Sequence, residues 1–430
     1  MHIRENDAYE IVGVGFGPSN LSLAIALREH PSNTPEQPIR AAFFEKQPQF
    51  GWHRNMLLPG VTMQVSFLKD LVTFRNPLSP FSFISYLHRS GRLPQFVNNQ
   101  DFFPTREEFH DYLEWAQRAF SDQVFYGSEV VAIRRPAGGD AVTHLELEVR
   151  DPGGDVRVIH ARNVVISTGL VPRMPEGVSR DDRVWHSSEF LEKFRAVDRY
   201  ELKSVAVIGG GQSAAEITRF LYDELPHAQI HSITPSYGYS LADDTPFANR
   251  VFDPEAVDHY YFGSSQARHA FWHFHRNTNY SVVDRDVIHD LYRRWYGEVV
   301  RNTNRLQFRN LTRLAEVKRS GSETRLLLHS LIDDDVQEVS VDAVACGTGY
   351  DPMEPTRLLG DLGRHCPRDA SGRLQVARDY RVLTTPELEC GIYLQGGTEH
   401  SHGLTSSLLS NIALRSGEIA DSIVRNLTGR

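Results

Sequence analysis

The chain has 430 residues, 40% of them hydrophobic and 23% charged, with a formal net charge of −9. Its length predicts two or three folding units, its apolar share supports substantial cores, and its acidic balance argues against a nucleic-acid partner. Three cysteines, Cys346, Cys366 and Cys390, with no CxxC pair, argue against a disulfide framework, a zinc ribbon and a dithiol redox centre. No stretch reaches the roughly 18 to 20 apolar residues of a membrane span. The opening MHIRENDAYE lacks the apolar core of a signal peptide, so a cytoplasmic chain with no membrane partner is expected.

In chain order, the first informative segment is YEIVGVGFGPSN (9–20), followed by LSLAIALR (21–28). It reads as a strand, a turn over Gly13, Gly15 and Gly17, and a helix opened by Pro18 and Ser19. Beyond the stretch from Pro31 to Pro38, the apolar run AAFF (41–44) ends at Glu45 and Lys46 and completes a βαβ unit. Gly13 suits the tight turn, Gly15 the close approach of a pyrophosphate, and the helix amino end the negative charge. Glu45 is placed to accept hydrogen bonds from a ribose, and Lys46 beside it is counted with the cofactor residues. The proline-rich insertion accounts for a turn-to-acid spacing above the usual ~20 residues. PAGGD (136–140) and DPGGD (151–155) read as hairpin turns, and VVISTG (164–169) as a buried strand ending at a Thr-Gly turn.

One glycine turn also arises as plain packing, but a second follows in SVAVIGGGQSAAE (204–216). Gly209, Gly211 and Ala214 hold its fingerprint positions, a helix runs through Leu225, and AQIHSIT (228–234) is the returning strand. Ser213 is not read as a nucleophile, because GQSAA lacks the second glycine of a GxSxG elbow. The stretch 235–305 is rich in aromatics and histidine, with Val287 to Val300 carrying apolar residues at helical spacing. DAVACGTGY (342–350) is a second buried strand, ending at Thr348, Gly349 and Tyr350. The pattern predicts an α/β fold with two Rossmann-like dinucleotide-binding domains and a small, mostly helical subdomain. FAD is expected in a discontinuous domain of 1–200 and 335–430, and NAD(P)H in 201–234 and 306–334, with the helical insertion at 235–305. Neither His269 with His273 nor His400 with His402 comes with the acidic pattern of a known site, so no metal is expected.

These segments resemble the N-hydroxylating monooxygenases of ornithine and lysine, class B flavin monooxygenases. The likeness runs through Trp52-His53, MQVSFLKDL (63–71), RNP (75–77), FFPTR (102–106), GGGQSAAE (209–216) and ADDTPFAN (242–249). It continues in NTNYSVVD (277–284) and HGLTSSLLS (402–410), and GIYLQGGTEH (391–400) is similar to actinobacterial ornithine hydroxylases. The resemblance implies that Lys69 holds the amino-acid carboxylate, Asn249 lies near the α-amino group, and Asn279 and Ser410 lie near the reacting amine. By residue type alone, Lys69 would more often sit on a solvated face beside Asp70, and the two asparagines would close turns. The resemblance also places Trp52, His53, Met63 and Gln64 at the flavin and Gln212 and Ser213 at the nicotinamide cofactor. Thr348, Gly349, Tyr350, His402 and Leu404 complete the expected cofactor wall. Asn279, Gln64 and Ser410 are the residues expected at the chemistry.

The implied reaction is hydroxylation of the side-chain amine of L-ornithine through a C4a-hydroperoxyflavin, with FAD, NADPH and dioxygen, for hydroxamate siderophores or piperazate. The same chemistry on L-lysine is the nearest alternative. A flavin disulfide reductase, disfavoured by the missing CxxC, and a non-catalytic nicotinamide-binding protein are the others. Relatives imply a homotetramer. NADPH is implied by resemblance, yet TPSYG (234–238) carries no Arg or Lys where the 2′-phosphate is normally received, which keeps NADH open.

Overall fold

A computed structural model describes residues 8–137, 141–320 and 323–428. Tyr9–Val14 becomes buried along its length, as a strand covered on both faces of a parallel sheet must be. Ala41–Glu45 pairs parallel on one side of it and Val156–Ile166 on the other. The strand Val156–Ile166 is shared between two arrangements. Its first half pairs antiparallel with Leu145–Arg150, and its second half lies between the first strand and Gly391–Leu394. The resulting sheet has seven strands, and helices Pro18–Arg28 and Ile412–Thr428 pack together on one face of it. The turn read at 151–155 closes with the Asp151 N–H donating to Asp155 O at 2.9 Å, whereas that at 136–140 falls partly outside the described residues.

The second sheet has five parallel strands, in the order Leu306–Arg309, Gln229–Ile233, Ser204–Ile208, Ala343–Cys346 and Val184–His186. Two of these strands come from outside the span expected for the second domain, so sheet membership does not follow the boundaries at 200 and 335. A further difference concerns helix Arg285–Arg301, placed by sequence in the insertion. Its Val287 and Leu291 pack with Ala215, and Tyr222 donates to Glu298 at 2.6 Å. It therefore lies in the next crossover, from strand Gln229–Ile233 to strand Leu306–Arg309, leaving 235–284 as the inserted part. That part is helical at Pro254–Tyr261 and Ser265–His275 and leans on the first unit, with the Tyr261 ring 5.2 Å from that of His402.

The two Thr-Gly turns meet. Val171–Pro172 pairs antiparallel with Tyr350–Asp351, the Arg173 N–H donates to Gly349 O at 3.0 Å, and the Arg173 guanidinium reaches Asp351 at 2.7 Å. The second turn also constrains the residue at Gly347. A methyl group there would lie 2.7 Å from the backbone N and Cα of Ala214, in the first turn of helix Gln212–Glu224. Gly347→Ala is expected to push that turn outward at a cost of about 1–3 kcal/mol, the range for overpacking. Thermal melting will show a lowered transition if so.

Candidate active site

At the first glycine turn, Gly15 adopts φ +85°, and a side chain there would meet Ser167 O at 2.5 Å, so only glycine keeps the backbone open at this point. The Phe16 N–H donates to Glu45 Oε2 at 2.7 Å and the Gln47 N–H to Oε1 at 2.8 Å. These two donors fix the carboxylate at the strand end, while Lys46 beside it is exposed. Gly17 is the N-cap of the helix that Pro18 and Ser19 open, and Asn20 ties the turn by donating to Gly15 O at 2.7 Å.

The carboxy-terminal segment packs against this turn. Arg415 is 2% exposed, donates to Ser19 Oγ at 3.3 Å and to Ser406 O, and leaves its Nε without a partner. Other buried polar atoms without a partner share this region: Asn20 Oδ1, Gln395 Oε1, Thr398 Oγ1, Ser406 Oγ and both amide atoms of Asn411. An unmet buried donor or acceptor costs about 1–3 kcal/mol, so such a cluster marks a place for a ligand rich in both. Sequence reading missed Arg415. Its only signal was a charge on the apolar stripe made by Ile412, Ile419 and Ile423.

His402 and Leu404, expected at the cofactor, are fully buried. The His402 ring stacks on Tyr380 at 4.1 Å, its Nε2 donates to Arg378 O at 3.1 Å, and its Nδ1 lies 2.8 Å from Ser401 Oγ. Both nitrogens are thus engaged in holding the loop. Burial pushes the His402 pKa down to about 3 and that of buried His231 to about 4. Both histidines are neutral in the fold but titrate near 6.5 when unfolded. Their contribution is complete above about pH 6.5 and is lost as pH falls through the folded values, with a slope of roughly 2.7 kcal/mol per pH unit for the two. The melting temperature should drop steeply from pH 6.5 to 5, and His402→Gln should flatten that fall.

His53 lies in the left-handed region at φ 48°, edge-on to Trp52 at 4.7 Å and to Tyr350 at 6.3 Å. Water reaches its ring within the cleft, yet protein surrounds it, and this desolvation with the nearby Arg106 guanidinium pushes its pKa down to about 4. Thr348 donates to Arg173 O at 2.5 Å, which fixes the turn carrying Gly349 and Tyr350.

The loop with Met63, Gln64 and Lys69 is pinned by backbone bonds, Met63 N–H to Pro104 O at 2.8 Å and Phe67 N–H to Phe102 O at 2.9 Å. Met63 is buried in an aromatic cluster. Asp70 is not the partner of Lys69. It accepts from the backbone N–H groups of Val72, Thr73 and Phe83 at 2.7–2.9 Å, which turns it inward. The Lys69 ammonium instead lies 5.3 Å from the Phe252 ring, and among the described residues it makes no ion pair. Burial lowers its pKa, opposed by Asp253. Phe252 and Asn249 share the short helix Ala248–Phe252, so Lys69 lies beside the element that carries Asn249. Asn249 donates to Asp244 O at 2.8 Å, leaving its carbonyl oxygen free to accept.

Asn279 follows the turn Arg276–Thr278, and Tyr280 next to it donates to Glu399 at 2.5 Å. Ser410 is buried in the short turn Leu409–Asn411 that leads into helix Ile412–Thr428.

At the second glycine turn, Gly209 has φ +136°, and a side chain there would meet Gly347 O at 2.4 Å. Gly211 caps the helix that Gln212 and Ser213 begin. Gln212 is already engaged through its side chain, donating at 2.9 Å to both Glu216 and Asp284. Glu216, 1% exposed, forms a two-point pair with Arg106 at 2.9 Å across the two units. After the returning strand, the Thr234 and Ser236 hydroxyls bond each other at 2.8 Å. The paired histidines are engaged elsewhere or exposed: His400 donates to Leu374 O, and His269 stacks on His273 on an exposed helix.

Two sheets, each with a parallel βαβ unit whose glycine turn meets a helix amino end, define a two-dinucleotide protein of the class B flavin monooxygenase fold. The chain belongs to the L-lysine 6-monooxygenase/L-ornithine 5-monooxygenase family, whose model matches residues 7–352. It is 37% identical to an L-ornithine N(5)-monooxygenase of Pseudomonas aeruginosa over 97% of this chain and 94% of that one. A solved ornithine N-hydroxylase of Kutzneria sp. 744, holding reduced FAD, NADP+ and L-ornithine, is 58% identical with a TM-score of 0.94, covering 97% of this chain and 99% of that one. The L-lysine 6-monooxygenase of Pseudomonas syringae is 30% identical with a TM-score of 0.84, covering 97% and 100%.

Proposed function

We propose that this chain hydroxylates the side-chain amine of L-ornithine, with FAD at the first glycine turn and NADPH at the second. The observation that carries the reading is Lys69, a cleft cation without an ion pair that shares its surroundings with Asn249. The higher likeness to ornithine enzymes than to the lysine enzyme favours the shorter substrate. The unpartnered polar atoms around Asn20, Gln395, Asn411 and Arg415 suit FAD, which offers donors, acceptors and a diphosphate. The three cysteines are free and buried, which disfavours the disulfide-reductase reading.

When bound and reduced by the nicotinamide, the flavin activates dioxygen. In the overall balance one oxygen atom enters the amine as hydroxyl, the other leaves as water, and NADPH with a proton supplies the two electrons and hydrogen. The protein's own residues bind and orient. Lys69 receives the α-carboxylate, and the free carbonyl of Asn249 accepts from the α-ammonium. Asn279 and Ser410 flank the side-chain amine, which must be neutral to react, although an alkyl amine titrates near 10.4 in water. Neutral partners serve that need, and the carboxylate on the same wall, Glu399, is capped by Tyr280 and has its own pKa raised by burial. His53, Trp52, Met63 and Gln64 line the flavin side, with Thr348, Gly349 and Tyr350 at the junction.

Among the described residues no helix is long and apolar enough to cross a membrane, and a cytoplasmic location fits the reading. Exposed Tyr292, Tyr296, Val299 and Val300 on helix Arg285–Arg301 offer an apolar face for assembly into the homotetramer expected from relatives. The product suits hydroxamate siderophores or piperazate-containing peptides. Mass spectrometry of reactions with oxygen, NADPH or NADH, and ornithine or lysine tests the proposal. One added oxygen on ornithine supports it, whereas a gain on lysine alone moves the substrate.

A further inference from the structure

Asp284 occupies the N-cap of helix Arg285–Arg301, the position where an aspartate ordinarily accepts from its own helix's N–H groups. Here it makes no such bond. Its Oδ1 accepts from Gln64 Nε2 at 3.1 Å and its Oδ2 from Gln212 Nε2 at 2.9 Å, while its own N–H donates to Gln212 Oε1 at 2.8 Å. One carboxylate thus joins three segments that are remote in sequence: the pinned loop of the first unit, the helix opening the second glycine turn, and the end of the insertion that carries Asn279. We propose that Asp284 is a positioning residue that locks the flavin-side amide of Gln64 to the nicotinamide-side amide of Gln212. The inference rests on the cofactor reading above for what those two amides face.

The arrangement has a directional consequence. Gln212 donates to both Asp284 and Glu216 and accepts from the Asp284 N–H, so its orientation is fixed at three points. Gln64 gives one N–H to Asp284, which leaves its carbonyl oxygen and second N–H for the cleft. Glu216 has Arg106 as its cation, but no cation pairs with Asp284 among the described residues, so the two amides are its side-chain partners. Bonds to a charged acceptor are the stronger ones and hold geometry best. Ser281, three residues earlier, sits at φ 59°, and its Cα is the nearest atom a side chain on Gly211 would meet, at 3.8 Å. The segment 279–284 is therefore laid directly along the second glycine turn, with Asp284 as its clasp.

The test compares the FAD-loaded wild type with Asp284→Ala and Asp284→Asn. Hydrogen–deuterium exchange should rise about threefold to tenfold in both 57–71 and 209–216 in Asp284→Ala, with helix Arg285–Arg301 little changed. Asp284→Asn, which keeps one acceptor, should restore part of the protection. NADPH oxidation without amine hydroxylation should rise severalfold in Asp284→Ala. Faster exchange confined to Arg285–Arg301 would make Asp284 an ordinary cap, and unchanged exchange in 57–71 and 209–216 would also overturn the proposal. Absence of hydroxylated ornithine from the wild type would instead count against the substrate reading, and the exchange data would still decide the role of Asp284.

Discussion

Lys69→Met is expected to raise the ornithine concentration needed for half-maximal hydroxylation by about one to two orders of magnitude. Losing a hydrogen bond to a charged group costs about 1.5–3 kcal/mol, which is that factor at roughly 1.4 kcal/mol per tenfold. Methionine keeps an unbranched chain of similar length against Phe252, so packing changes little. The loop itself is held by Asp70 through three backbone N–H groups, none of which involves Lys69. Flavin reduction by NADPH should therefore persist, and the loss should fall on substrate binding. A diamine lacking the carboxylate gives the decisive comparison. Wild type should prefer ornithine over 1,4-diaminobutane by a factor that largely disappears in Lys69→Met. An undiminished preference would place the carboxylate elsewhere.

The legible part of this protein was the part written locally. Each glycine turn sits between an apolar strand and a helix, and both βαβ units formed where the pattern put them. Sheet membership was harder to read. Val184–His186 and Ala343–Cys346 are short apolar runs whose pairing with Ser204–Ile208 is set by contacts remote in sequence. Helix Arg285–Arg301 has a clear period, but the period does not say which sheet it covers. The proposed substrate residues were legible only through family likeness, since a lysine beside an aspartate usually belongs to a solvated pair. The structure changes that balance by turning Asp70 inward and leaving Lys69 beneath Phe252. The amides Gln64 and Gln212 were singled out in the sequence, but not Asp284 between them, because an aspartate opening a helix already has an ordinary explanation.

Arg415→Leu should weaken FAD binding by about ten- to a hundredfold without lowering the melting temperature of the FAD-free protein. The guanidinium is 2% exposed, and the carboxylate that opposes its pKa depression, Glu418, is already committed to Arg378 at 2.8 and 3.0 Å. An arginine buried without its own counter-ion costs several kcal/mol in desolvation, a cost that an approaching diphosphate offsets. Its contact with Ser19, in the first turn of the helix after the first glycine turn, places the charge where a helix amino end already favours an anion. Leucine removes the unmet charge from the empty site but also removes the attraction that FAD would gain. The two effects have opposite signs in the two states, so the gap between melting temperatures with and without FAD should narrow, as ligand linkage requires. A titration of FAD-free protein with FAD, followed by flavin fluorescence, measures the affinity directly. If both melting temperatures fell together with the affinity unchanged, Arg415 would serve only the loop at Ser406, and the charge facing the diphosphate would have to come from the helix end alone.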